Sequence, residues 1–445
     1  MTQYTVNQLP SLKGAAAWNC ILPDLPPETL NQDQTADVVI VGAGFAGLSA
    51  ARRLHQIEPN ARIVVLEAGR LAHSSAGRNS GFMIDLPHDL ASDDYAGDGD
   101  DQALIVLNRQ AIGFAADAVE DYQINRNFFD WAGKINGAAS AKAARNNESY
   151  ARHLQGLGES CELLDAQQMQ EITGSAHYVG GLYTPGTVML QPAGYIRGLA
   201  TGLRRAGVLL FEEAAVTKLA RVSGDWRVET QNAAITAGRV ILTVNGHLES
   251  FGFEASRLMQ VFLFAAMTPE LDANTLKVLG GQPRWGITPS DPMGTTIRRI
   301  DAGQGGNRLV TRSCAVLRSG MKVSDSDMRR ASIMMRRKFD QRFPRLAGMS
   351  MEYMWSGHLC LSMNGVSVQR QLDDGLFSGC VQNGLGTTRG TLTGIGAAEL
   401  ACGIASDITK YFTAEPTPRQ LPPRPFRDLG ANAYMRWKEF QARKE

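Results

Sequence analysis

Apolar and polar positions change rhythm several times along this chain of 445 residues, and each change predicts an element. Residues 1–35 show little periodicity and carry the stretch PDLPPETL, which predicts an extended arm on the surface. The text then turns apolar without alternation. DVVIV, a glycine turn, LSAARRLHQ and IVVLEAG read as buried strand, turn, helix and second buried strand, a βαβ unit. From about residue 92 to 175 the period lengthens. DDQALIVLNRQAIGFAADAVEDYQI and SAKAARNNESYARHLQGLG have helical spacing, NFFDWAGKINGAAS is strand-like, and DAQQMQEITG reads as a short helix opened by an Asp cap. An α+β insertion fits this segment better than more parallel sheet.

Further on, LQPAGYIRGLATGLRRAGV predicts a helix with Pro192 near its start. Several short strands follow, the last being RVILTVNG, which ends at Asn245 and Gly246. Residues 257–320 predict β-structure, and DSDMRRASIMMRRKFDQRF an amphipathic helix. The run from GLFSGCV through NGLGTTRGTLTG reads as strand, glycine loop and helix. The last residues, PPRPFRDLGANAYMRWKEFQARKE, are proline-led and then helical.

Strand–turn–helix units therefore lie near both ends and in the middle, separated by β-rich text. That layout predicts an α/β fold, α+β overall. A Rossmann-like nucleotide domain is built from non-contiguous segments, with a mixed or antiparallel sheet domain inserted. We expect residues 36–90, 188–256 and 368–412 in the first domain and 91–187 and 257–367 in the second. Residues 1–35 form the arm and 413–445 a tail. The length suits two domains.

Composition narrows the function classes. Charges balance at 45 basic against 44 acidic residues, so the basic excess of a nucleic-acid binder is missing. No apolar run is long enough to span a bilayer, so no transmembrane segment is expected, and the N-terminus lacks a signal-peptide pattern. The six cysteines are scattered, with no CxxC pair and no Cys/His cluster. We expect reduced thiols, no metal site and a cytoplasmic setting. Oligomeric state is not written in the pattern.

The candidate chemistry begins at Gly42-x-Gly44-x-x-Gly47, which directly follows DVVIV and opens a helix. In that context Gly42 permits a tight turn, Gly44 lets the backbone approach a pyrophosphate, and Gly47 allows close helix–strand packing. The helix N-terminus supplies free N–H groups for phosphates. Glu67 ends the second strand where a ribose-binding carboxylate belongs, which suits FAD or NAD. Arg70, close by, argues more weakly for NADP. Gly384 and Gly386 would let backbone pass close to something flat, ahead of another helix N-terminus.

With SAGRNSGF at residues 75–82 the chain resembles the FAD-dependent amine and amino-acid oxidases of the glycine oxidase/sarcosine oxidase type, and within them the γ-glutamylputrescine oxidase branch most. VVIVGAGFAGLSAA, LEAGR, LQPAGYIRGLA, RVILTVNGHL, YMWSGHLCLSM, NGLGTTRGTLTG and PFRDLGANAYMRWKE extend the likeness, in order, over nearly the whole chain. The resemblance implies FAD, held non-covalently. Gly42, Ala43, Gly44, Phe45, Ala46, Gly47, Glu67 and Ala68 would take its nucleotide part, with Val216 at the adenine and Asn245 and Gly246 closing that side. Gly77, Arg78, Asn79, Ser80 and Gly81, with Gly384, Leu385, Gly386, Thr387 and Thr388, would line the flavin. His358, Arg299 and Trp355 would face the ring as catalytic candidates, an Arg clamping a carboxylate and a His positioning an amine or titrating near neutral pH.

The implied reaction is oxidation of a C–N bond in an amine or amino acid, including a γ-glutamylated amine. A hydride passes to flavin N5, the imine hydrolyses, and O2 reoxidises the flavin to give H2O2. Three departures from the family stand out. Leu385 replaces a common His, Ser367 a common Pro, and NRLVTRS lacks the lysine that sarcosine oxidase-type members place over the flavin. They keep two alternatives open: a dehydrogenase using another electron acceptor, and an FAD-bound binding protein without catalysis.

Overall fold

A computed structural model describes residues 2–6, 8–87, 89, 92, 95–97 and 99–445. Two large sheets organise them. In the first, five parallel strands lie in the order Leu209–Phe211, Ile63–Leu66, Gln34–Val41, Ala234–Leu242 and Leu376–Cys380. Ile63–Leu66 and Leu376–Cys380 are buried at every position, so both faces of these strands are covered. This is why their sequences run apolar without alternation. Helix Phe45–Ile57 lies against helix Thr388–Ala401, so closely that a Cβ on Gly394 would overlap the Ala46 carbonyl. The strand pair Lys218–Val222 and Asp225–Glu229 extends the sheet in antiparallel fashion from the first half of Ala234–Leu242.

The second sheet has eight strands and is mostly antiparallel. Its order is Tyr353–Ser362, Leu258–Met267, Arg308–Leu317, Thr296–Ile300, Trp285–Pro289, Lys134–Ala138, Gly180–Thr184 and Glu162–Asp165. Trp285–Pro289 and Lys134–Ala138 form its parallel pair, where the two chain segments that build the sheet meet. The expected domain boundary at residues 90 and 91 lies outside the described residues.

The two ends of the chain are tied to the sheets, the last residues as the helix their pattern predicts. Gln3–Thr5 pairs with Lys218–Val222 and widens the first sheet. Trp18 is fully buried, and its indole N–H donates to the Asn79 carbonyl at 2.9 Å. The arm is thus anchored by one large side chain, which leaves no periodic signal. At the other end, helix Phe426–Gln441 lies along strand Arg308–Leu317. Along that strand Thr296–Ile300 reaches no further than Arg308–Arg312, so the rest of the edge is open among the described residues. Asn432 and Glu439 accept the N–H groups of Leu317 and Ala315, which protects the edge with side chains in place of a strand.

Candidate active site

One cavity of about 1310 Å³ takes its walls from both sheets. It exceeds the roughly 300–1,000 Å³ typical of a pocket for one drug-sized ligand. One end is the turn between Gln34–Val41 and helix Phe45–Ile57. A Cβ on Gly47 would overlap the Gly42 carbonyl, so close packing of helix on turn requires glycine there. Gly44 caps the helix without any side-chain hydrogen bond, and Gly44, Phe45 and Ala46 line the cavity. The first N–H groups of the helix are therefore available to an anion. Glu67 stands opposite. Its carboxylate accepts N–H groups from Ala43 at 2.9 Å and Gly69 at 3.2 Å, and burial pushes its pKa up. Ala68 and Val216 continue the wall, and the Val216 backbone makes no hydrogen bond among the described residues.

Residues 74–82 form a loop whose carbonyls are held one after another. Trp355 donates to the Arg78 carbonyl at 3.0 Å, Trp18 to Asn79 at 2.9 Å and Arg298 to Ser80 at 2.9 Å. The Leu190 N–H donates to Gly81 at 2.7 Å, and the Thr387 hydroxyl to Phe82 at 2.6 Å. Five donors from five separate segments make this a rigid wall and not a connector. Arg78 itself donates to the carbonyls of His73, Lys13 and Ser356, and burial lowers its pKa to about 10. Gly81 has φ +78°, and a Cβ there would overlap the Arg298 guanidinium.

Opposite lies the turn before helix Thr388–Ala401. Gly384, Leu385, Gly386 and Thr387 line the cavity. A Cβ on Gly386 meets nothing within 4 Å, so bare backbone faces the space. Thr387 caps the helix with no side-chain hydrogen bond to it, its hydroxyl being spent on Phe82, and Thr388 likewise donates to Ile84 at 3.0 Å. The two walls are thereby fastened to each other.

Of the residues the sequence singles out, Ala43, Gly47, Gly77, Gly246, Thr388, Trp355 and Arg299 stand behind the lining. Gly246 packs against Gln260 and Cys360. Asn245 does line the space and accepts the Gln382 N–H at 3.3 Å. Trp355 acts through the Arg78 carbonyl, and Arg299 turns away to donate to Gly280. His358 lines the cavity, but it does not titrate near neutral pH. Burial, helped by His247, drives its pKa down to about 3. Its Nε2 faces the Gln260 carbonyl oxygen at 2.8 Å, which assigns the proton of the neutral ring to Nε2.

Sequence reading missed Arg312. It sits on the cavity wall between Ala265 and Thr296 of the neighbouring strands. Its side chain makes no hydrogen bond or ion pair among the described residues, and burial lowers its pKa. Its exposure is to the cavity, which explains how it is at once accessible and desolvated. The Thr296 hydroxyl beside it is also unpartnered. Such a cation is costly unless an anion joins it.

A family model described as FAD dependent oxidoreductase (DAO) matches residues 37–400. The chain belongs to the DAO family of FAD-dependent oxidoreductases. FAD is therefore the cofactor of this DAO-family enzyme. The open helix N-terminus, the buried Glu67, the free Val216 backbone and the bare Gly386 fit the parts of that molecule: pyrophosphate, ribose, adenine and a flat ring.

Among curated proteins, the chain is 31% identical to a probable oxidoreductase OrdL of Haemophilus influenzae over 232 residues, 50% of this chain and 52% of that one. It is 26% identical to the gamma-glutamylputrescine oxidoreductase of Escherichia coli over 394 residues, 87% of this chain and 88% of that one. Among solved structures, glycine oxidase from Geobacillus kaustophilus superposes with a TM-score of 0.70 at 17% identity, covering 86% of this chain and all of that one. That likeness shows the shared fold.

Proposed function

We propose that this DAO-family enzyme oxidises the C–N bond of an amine or amino acid that carries a carboxylate. The observation behind this is the Arg312 guanidinium on the cavity wall, unpaired among the described residues. Glycine and γ-glutamylputrescine, named for two similar proteins, each join an amine to a carboxylate in one molecule. Bound FAD supplies the redox chemistry by accepting a hydride from the carbon next to nitrogen and passing the electrons on, most simply to O2 with release of H2O2.

The protein's share is positioning. Arg312 holds the carboxylate as a charge-assisted pair. His358, neutral, offers polarity without charge at the cavity wall. The N-terminus of helix Thr388–Ala401 favours negative charge accumulating nearby. Non-covalent attachment belongs to the same proposal. Burial raises the cavity-lining Cys314 thiol and pushes Cys380 to about 11, so neither supplies a thiolate at neutral pH. Six unpaired cysteines suit a reducing, cytoplasmic compartment.

Replacing Arg312 tests the reading. Arg312→Met should lower kcat/KM for carboxylate-bearing amines by roughly 10²–10³, from about 3–4 kcal/mol of lost pairing, mostly through KM. Arg312→Lys should recover part of it, and amines without a carboxylate should be affected little. Equal losses on both substrate sets would sink the carboxylate assignment. A second reading, transfer of electrons to a carrier, rests on the same strand: Arg312 stands on a wall strand that bears no lysine. Peroxide formed per turnover separates the two, a ratio near one supporting the oxidase.

A further inference from the structure

Helix Phe426–Gln441 is docked with its polar side inward. Asn432 exchanges hydrogen bonds with the Leu317 backbone, Glu439 pairs with Arg330 at 2.8 Å, and Arg436 donates to the Ala315 carbonyl. The side left to solvent is apolar. Phe426, Leu429, Trp437 and Phe440 are 73%, 69%, 51% and 64% exposed, and 3.6 residues per turn place them on one stripe. A surface helix ordinarily shows the reverse pattern.

Among the described residues, the charges left without an ion pair on this helix and on helix Asp325–Arg342 are mainly cationic. Helix Asp325–Arg342 lies alongside, joined through Arg330 and Glu439. Its Arg329, Arg336 and Arg337, together with Arg443 and Lys444, form no ion pair among the described residues. The acids of the two helices are already engaged. Asp325 pairs with Lys13, Asp327 with Arg318, Asp428 with Arg427 and Glu439 with Arg330, and Asp340 accepts the Gly348 N–H.

We propose that this stripe seats the protein on an anionic lipid bilayer, aromatic rings at the headgroup boundary and arginines on the phosphates. Aromatic side chains beside unpaired cations are the composition of helices that lie in that plane. Charge selects this occupant over a second copy, because two-fold pairing would set the same uncompensated cations against one another. Contact is peripheral, since no helix among the described residues is long and apolar enough to cross a membrane. Tyr434 and Lys438, on the flank of the helix, line the cavity, so the seated protein has its cavity beside the lipid surface.

Flotation of the FAD-loaded full chain with vesicles tests this. We expect it to rise with phosphatidylcholine vesicles containing phosphatidylglycerol at low ionic strength, to be released by salt, and to stay behind with phosphatidylcholine alone. The double variant Trp437→Ser, Phe440→Ser should lower partitioning at least about tenfold. Arg329→Gln, Arg336→Gln and Arg337→Gln should each lower it roughly fivefold. Flavin content and melting temperature should match the parent in all of them, and the arginine set carries the test if the serine variant misfolds. Failure to float with either lipid at low salt overturns the proposal. So does a concentration-dependent dimer in light scattering that the serine variant abolishes.

Discussion

Arg298 and Arg299 are adjacent in sequence and opposite in space, because successive side chains of a strand leave opposite faces. Arg298 is buried, stands 5.2 Å from the Trp18 ring centroid and 5.6 Å from that of Phe82, and holds the carbonyls of Ser80 and Leu190. Arg299 serves Gly280 on the other side. Arg298→Met should therefore cost about 2–4 kcal/mol and release FAD, because two buried carbonyls lose their donor. Arg299→Met should leave flavin content and turnover near normal. Urea titration and flavin absorbance check both, and equal effects would contradict this division of roles. The buried histidines carry a pH prediction. His247 and His358 are held neutral, with pKa values near 4 and 3 against 6.5 in the unfolded chain. The unfolded chain binds more protons below pH 6.5, so stability is present above that value and falls as acid is added. Each histidine should contribute about 2 kcal/mol of loss by about pH 5. Urea midpoints between about pH 7.5 and 5 should show the slope, and His358→Gln should flatten it.

At the scale of elements, the loop at residues 74–82 and the helix Thr388–Ala401 work as one unit. A loop owes its shape to whatever holds its backbone, and here the holders are a threonine, an arginine, two tryptophans and the Leu190 N–H, all from distant segments. Thr387→Val removes one fastening and leaves the Phe82 carbonyl unpaired. We expect FAD to bind about tenfold more weakly, from roughly 1–2 kcal/mol, with the fold intact. A dissociation constant within twofold of the parent would show that the two walls hold each other without it. The glycine turn and its strand were legible because their conformation is decided by nearest neighbours. The tie between Thr387 and Phe82 was not, because its two residues are far apart in the chain.

For the whole molecule, FAD bound in the cavity between the two sheets, as proposed, would link its binding to the stability of the fold. Adding FAD should raise the melting temperature with the logarithm of its free concentration. Acid precipitation should leave the yellow colour in the supernatant, and flavin remaining in the pellet would refute non-covalent attachment. The first sheet shows how a fold can be read from scattered text. Strands Gln34–Val41, Ala234–Leu242 and Leu376–Cys380 each carry a short fully buried run, Val38–Val41, Val240–Leu242 and Leu376–Cys380, and they come together although long segments separate them. Trp18 shows the limit, since a lone tryptophan in aperiodic text carries no sign of what it will be buried against.

The sequence by itself determined the family, the cofactor and the glycine-bearing turns that line the cavity, because these depend on local backbone conformation and on motifs in fixed order. Only the tertiary structure decided which arginine meets the cavity. Three lie on adjacent strands. Register turns Arg299 away, burial commits Arg298 to the loop, and Arg312 alone of the three is left facing the cavity without a partner among the described residues. That choice rests on strand pairing and packing between segments distant in the chain, which no local pattern records.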